Sequence, residues 1–288
     1  MADRKCLLSF GHGYSARALA SLLIPRGWTV IGTTRTAEKA EQITKTGAEA
    51  VIWPDGPADL RQYLERATHL LTSAGPDEDG DPVLRGLGDD IAKLAESFNW
   101  AGYLSTTGVY GDHRGAWVDE TTTCTPSTKR GQWRLQAEQD WSAIPGLPIH
   151  IFRLAGIYGP GRGPFSKVRN GTARRIIKQG QVFSRIHVED IATVLEASIA
   201  KPRPGAIYNV NDDLPAPPED VLDHAAQLLG KPSPPAVAFE DADLHPMAKS
   251  FYSECKRTKN DLLSQELGVD LKYPTYREGL AALLEGEV

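Results

Sequence analysis

Residues 7–30 read LLSFGHGYSARALASLLIPRGWTV. An apolar run ends at Gly11-x-Gly13-x-x-Ala16, a helical stretch follows over 15–25, and a second strand pattern covers 29–33. Each small residue has a physical task. Gly11 permits a tight turn, Gly13 lets backbone approach a pyrophosphate, and Ala16 lets the helix pack close to the strand. The helix start then offers free N–H groups and a partial positive charge to phosphates. His12, Tyr14 and Ser15 lie in the same loop, His12 contributing through its backbone. Strand, glycine turn, helix and second strand in this order predict a dinucleotide-binding βαβ unit.

The second strand ends in Thr33-Thr34-Arg35. An acidic residue there would accept from the 2′-hydroxyl of NAD, and none is present. Arg35 could meet a 2′-phosphate with a charge-assisted contact. Thr34 and Arg35 therefore favour NADP, with NAD as the alternative.

The pattern continues through residue 160. Strands are expected at 5–10, 29–33, 50–53, 69–73, 100–105 and 149–154. Helices are expected at 15–25, 37–46, 57–66, 82–98 and 129–142. Alternation of this kind predicts an α/β fold, a Rossmann-like doubly wound parallel sheet with right-handed crossovers. After Gly156 the chain becomes rich in glycine, arginine and proline, with helices expected at 189–199, 218–229, 259–267 and 275–284. The expected division is a dinucleotide-binding domain over 1–160, to which 181–213 returns, and a smaller α+β substrate region over 161–288.

The 288 residues carry a net charge of −5, which gives no case for nucleic-acid binding. No apolar run reaches the ~20 residues that span a membrane, and the N-terminus reads as a first strand and not as a signal peptide. Cys6, Cys124 and Cys255 lack metal-ligand spacing, so no metal is expected; they read as free thiols in a reducing cytoplasm, Cys6 buried.

Further stretches, FGHGYSARALA, LSTTGVYGD, FRLAGIYGPGR, SRIHVEDIA and AIYNVNDD, are together similar to the extended or atypical branch of the short-chain dehydrogenase/reductase superfamily, of the NAD-dependent epimerase/dehydratase type. The resemblance spans nearly the whole chain. It implies that Thr106 stands where the family's serine or threonine meets the substrate oxygen. It also implies cofactor contacts from Ser73, Ala74, Gly75 and Ser105, and a homodimer through two helices of each subunit.

The resemblance breaks at PSTKRGQWRLQAEQDW, residues 126–141. Ser127 or Thr128 can cap this helix, and Leu135, Glu138 and Trp141 fall at helical spacing. The family keeps a tyrosine here, which moves the substrate's proton, and a lysine four residues on, which binds the nicotinamide ribose. This chain has Arg130 and Arg134. A guanidinium stays protonated at any working pH and cannot act as general acid or base. Arg134 could still bond a ribose, and Arg130 could stabilise an oxyanion. Tyr110, four residues after Thr106, is the nearest substitute acid and is expected to overlook the cleft; Asp112 and His113 follow it.

Arg162, Lys167, Arg169, Arg174, Arg175, Lys178 and Arg185 form a basic run where the family builds its substrate site. Arg162, Arg169 and Arg185 are the candidates for binding a small anionic substrate; solvated helix faces are the alternative. His187 and Asp190 are expected to fix packing. The functional expectation is an NADP-dependent oxidoreductase or epimerase on an anionic or nucleotide-sugar-like substrate, with atypical catalytic residues. The alternatives are a non-catalytic NADP(H)-binding sensor, and an enzyme of another reaction type whose substrate supplies its own base.

Overall fold

The computed structural model describes residues 5–54, 56 and 59–286. Along the chain alternate β1 (Cys6–Phe10), α1 (Tyr14–Leu23), β2 (Thr29–Thr34), α2 (Ala37–Thr44), β3 (Glu49–Ile52), α3 (Arg61–Arg66), β4 (His69–Thr72), α4 (Pro82–Leu94), β5 (Trp100–Thr106) and α5 (Lys129–Ser142). The strands Ile149–Leu154 and Ile207–Val210 then extend the sheet past β5. From that edge the seven strands run Ile207–Val210, Ile149–Leu154, β5, β4, β1, β2, β3, all parallel. This is the doubly wound, Rossmann-like arrangement. The chain winds one way from β1 to β3 and the other way from β4 onward, which opens a crevice at the carboxyl ends of β1 and β4.

Strands covered on both faces are mostly apolar, and all five residues of β1, Ser9 among them, are buried. On one face α1 lays Ala16, Leu19, Ala20 and Leu23, spaced one helical stripe, against Leu7, Trp100, Phe152 and Tyr208. Each such leucine contributes about 1.5–3 kcal/mol by burial. The helix Val188–Ala200 shares this face, and its Ser198 Oγ accepts from the Trp100 indole at 3.0 Å. On the other face lie α3, α4 and α5, with Leu64, Val83, Leu87, Ile91, Ala137 and Trp141. Asp81 caps α4 by accepting from the Val83 and Leu84 amides. Thr128, not Ser127, caps α5, accepting from the Gly131 amide at 3.1 Å.

A further cluster of Tyr158, Phe165, Ala225, Tyr276 and Leu280 lies among the C-terminal elements. Three parallel strand pairs there leave no periodic signature in sequence: Gly156–Tyr158 with Arg185–His187, Arg175–Ile177 with Ala236–Ala238, and Trp117–Val118 with Arg257–Thr258. The helix expected from residue 57 starts at Arg61, and Pro57 itself lies outside the described residues. The helix expected to reach 98 stops at Leu94 and tightens into a 3₁₀ turn, Ala95–Ser97. The helix expected over 259–267 shortens to Asp261–Gln265. Cys6 is buried, and among the described residues no cysteine forms a disulfide. Among the described residues no helix is long and apolar enough to cross a membrane, and no group of three metal-ligating side chains gathers.

Candidate functional site

The crevice begins at the glycine loop. Gly11 has φ +71°, a left-handed conformation that side chains rarely adopt, and a Cβ there would lie 3.0 Å from the Ala74 amide nitrogen. Its N–H donates to Thr33 Oγ1 at 2.9 Å, and the Ser73 hydroxyl donates to its carbonyl. The turns after β1 and β4 thus pack backbone against backbone, which leaves a bare cradle at the amino end of α1. Ser15 is buried behind it; Thr34 ends β2, and Arg35 follows it, exposed.

His12 does more than lend its backbone. Its N–H donates to Thr33 O at 2.9 Å, and its ring fills the space left by Gly32, where a Cβ would come within 2.6 Å of the ring. Burial, with a small push from Arg17, lowers its pKa to about 4. Burial likewise lowers His187, which packs between Tyr158 and Tyr273, to about 4. Both imidazoles are neutral when folded and protonate near 6.5 when unfolded. Their depressed values make the unfolded chain bind more protons between pH 6.5 and 4, so stability falls as the pH falls through that window. The loss is on the order of 3 kcal/mol per ring at its full extent. Urea midpoints should drop from pH 7 to pH 4.5, and drop less for His12→Asn; equal slopes would contradict this account of His12.

Tyr14 turns from the cradle to the segment after Gly156. Its hydroxyl donates to Pro160 O at 2.9 Å, and the Arg162 guanidinium sits 5.0 Å from its ring. Arg162 is therefore the member of the basic run that reaches the glycine loop. Several of the others hold scaffold. Arg175 pairs with Asp223, Lys178 bonds Tyr252 O, and Arg174 bonds Gly171 O and Ala173 O. Arg185, expected to bind substrate, spends its Nη1 on Phe183 O and Ala216 O. Arg169 stacks on Phe165 at 5.7 Å.

Across the crevice stands Arg134, half-buried on α5. Its Nη1 donates to Leu104 O at 2.8 Å, to Tyr103 Oη at 3.1 Å and to Ala74 O at 3.4 Å. Its Nη2 lies 3.4 Å from where a Gly75 Cβ would be. Arg134 thus ties the turn after β4 to the end of β5 and places a fixed positive charge between them. Arg130, one turn earlier, is exposed. Thr106 ends β5 half-buried, its Oγ1 accepting from the Gly108 amide at 3.1 Å. That oxygen's own proton stays available for donation.

Two expected site residues turn inward instead. Tyr110 does not overlook the crevice: the 3₁₀ turn Thr107–Tyr110 rotates it into the core, fully buried. Its hydroxyl donates to Asn209 Oδ1 at 2.8 Å and accepts from Arg153 Nη1 at 3.0 Å. Burial, partly offset by Arg153, pushes the phenol up to about 12. Ser105 is also buried, and its hydroxyl donates to Glu138. His113 points its Nε2 at Tyr110 O, 3.0 Å away, and Asp112 accepts from the Cys255 and Arg114 amides.

These inward groups meet in a network that the sequence reading missed. Arg153, on the strand Ile149–Leu154, donates from Nη2 to Glu138 Oε2 at 2.8 Å and from Nε to both carboxylate oxygens at 3.3 Å. Both residues are 4% exposed. Burial opposes the guanidinium's charge, but Glu138 and Tyr110 outweigh it and hold the pKa above its usual value. The signal was an arginine inside the apolar run IHIFRLAG, since a charge on a buried strand demands a partner. Glu138 lies one helical turn beyond Arg134, so the pair fixes α5 beneath the site.

A cradle that a Cβ would fill, a helix amino end facing it and an arginine opposite fit a dinucleotide. No family model matches the chain. The chain is 60% identical to a conserved protein of unknown function from Silicibacter pomeroyi, over 98% of this chain and 99% of that one, with a TM-score of 0.93. It is 30% identical over 213 residues to protein YeeZ of Escherichia coli K12, which is 69% of this chain and 75% of that protein. A Methylobacillus flagellatus structure described as an NAD-dependent epimerase/dehydratase is 25% identical over 99% of both chains, with a TM-score of 0.74.

Proposed function

The chain belongs to the NAD-dependent epimerase/dehydratase type of the extended short-chain dehydrogenase/reductase superfamily, and we propose that it uses NADP, in preference to NAD, for hydride transfer on a small anionic substrate without a tyrosine acid. When bound, the dinucleotide gives or takes a hydride at its nicotinamide ring. The observation that carries the reading is Arg134, pinned to Leu104 O, Tyr103 Oη and Ala74 O at the mouth of the crevice.

In this reading Gly11, His12 and Gly13 supply backbone to the pyrophosphate, with Tyr14 and Ser15 shaping the amino end of α1. Thr34 and Arg35 meet the adenine ribose and its 2′-phosphate. Ser73, Ala74 and Gly75 form the opposite wall. Ser105 takes no direct part, because its hydroxyl is committed to Glu138. Arg134 holds the nicotinamide ribose and stabilises negative charge on the substrate, but it does not release a proton. Thr106 offers its hydroxyl proton to a substrate oxygen. Proton balance at that oxygen is left to water, since Tyr110 is sealed in the core and Arg130 is a permanent cation. Arg162, beside the glycine loop, is the anion contact for substrate, and Arg130 widens the positive field. Arg169 and Arg185 are withdrawn from that role by their own contacts.

A second reading, a non-catalytic NADP(H) sensor, is favoured by the same inward turn of Tyr110. Calorimetric titration and a turnover screen separate the readings. Arg35→Ala should weaken NADP⁺ binding about 10-fold or more, the worth of one charge-assisted bond, while NAD⁺ binding changes less than about 2-fold. Equal weakening of both would refute the 2′-phosphate role. NADPH consumption with some small carbonyl acid or phosphate supports the enzyme, whereas tight binding with no turnover across the panel supports the sensor.

A further inference from the structure

At the opposite end of the strands, beneath the amino ends of β1, β4 and β5, lies a cavity of about 360 Å³. It is remote from the dinucleotide crevice, which opens at the carboxyl ends of these strands. One wall is apolar, built by Leu23 at the end of α1 and by Ile199 and Ala200 at the end of the helix Val188–Ala200. The lining also includes the half-buried indole of Trp28, held edge-on by His69 with ring centroids 4.6 Å apart. Asn99 adds an amide at the rim.

The charged side chains described in its lining are Lys5, Arg26 and Glu196. Arg26 is neutralised by an ion pair with Glu196. Lys5 forms no ion pair among the described residues; its ammonium lies 5.8 Å from the Trp28 ring centroid. Among the described residues, Lys5, Arg26 and Glu196 therefore leave one surplus positive charge at the edge of an aromatic and aliphatic slot. A cavity of about 150 Å³ already holds a benzene ring, so this volume admits one ring with a polar substituent. We propose that the cavity is an accessory binding site for a small planar aromatic monoanion, an aryl carboxylate. Its ring lies between Trp28 and the Leu23–Ile199 wall, and its carboxylate meets Lys5. Such a ligand would bridge the carboxyl ends of the two helices that cover this face of the sheet. The amino end of α1 is the same helix's pyrophosphate cradle.

The test is saturation-transfer NMR with calorimetry on the full chain, using benzoate, benzamide and cyclohexanecarboxylate as probes. Benzoate should bind saturably with a dissociation constant on the order of 1 mM or tighter, within the range for so small a ligand. Benzamide, without the charge, and cyclohexanecarboxylate, without the planar ring, should each bind at least about 5-fold more weakly. Lys5→Gln, a change at an exposed side chain, should weaken benzoate at least about 5-fold with the thermal midpoint unchanged. Trp28→Leu should weaken benzoate by a similar factor. Absence of saturable benzoate binding, or equal binding by Lys5→Gln, overturns the site. Equal binding of cyclohexanecarboxylate overturns the aromatic class. Both outcomes are independent of whether the chain binds NADP.

Discussion

Glu138→Leu should destabilise the protein by about 3–5 kcal/mol, the usual cost of leaving one charge of a buried pair without its partner. Arg153 is the charge left behind. It would keep Tyr110 Oη at 3.0 Å but lose three contacts to the carboxylate. Against a typical total of about 5–15 kcal/mol, the loss is a large share of all stability. The double variant Glu138→Leu/Arg153→Met should recover most of it, because an apolar pair of similar volume replaces a pair that was expensive to desolvate. Urea unfolding of the four proteins gives the coupling energy directly. If the single and double variants were equally unstable, the network would be mere packing.

Gly11→Val should weaken NADP⁺ binding by about 100-fold or more. Two or more charge-assisted contacts between loop amides and pyrophosphate would be lost, each worth about 1.5–3 kcal/mol. A Cβ at Gly11 meets the Ala74 nitrogen at 3.0 Å, and φ +71° is hostile to a branched side chain. Either the turns after β1 and β4 part, or the cradle fills. Gly27→Ala is the control. Gly27 has φ +80° with nothing within 4 Å of a new Cβ, so it carries similar backbone strain far from the crevice. It should retain wild-type affinity in the same titration. Loss of binding in both variants would mean that strain, not occlusion, governs.

Much of this was legible in residues 7–30, because turn, cradle and helix packing are local demands on residue size and conformation. The register of α5 was legible for the same reason: its cap and spacing lie within one stretch. The direction of Tyr110 was not, since a 3₁₀ turn of four residues decides whether that phenol faces the crevice or the core. The partner of Arg153 was hidden because Glu138 lies on a different element, and only the crossover brings them together. The basic run looked like one surface in sequence. Folding sends Arg162 to Tyr14, Arg175 to Asp223 and Arg185 to the Ala216 carbonyl, each by long-range contacts that charge spacing does not encode.

In the proposed function, Arg134 holds the nicotinamide end of a dinucleotide in a site that lacks a protein acid. A crystal structure of the chain grown with NADPH tests it most directly. The pyrophosphate should lie over the Gly11–Ser15 loop, the nicotinamide ribose within hydrogen-bond distance of the Arg134 guanidinium, and Tyr110 should stay buried against Asn209 and Arg153. A nicotinamide ribose out of reach of Arg134, or Tyr110 swung out to meet the ring, would contradict it.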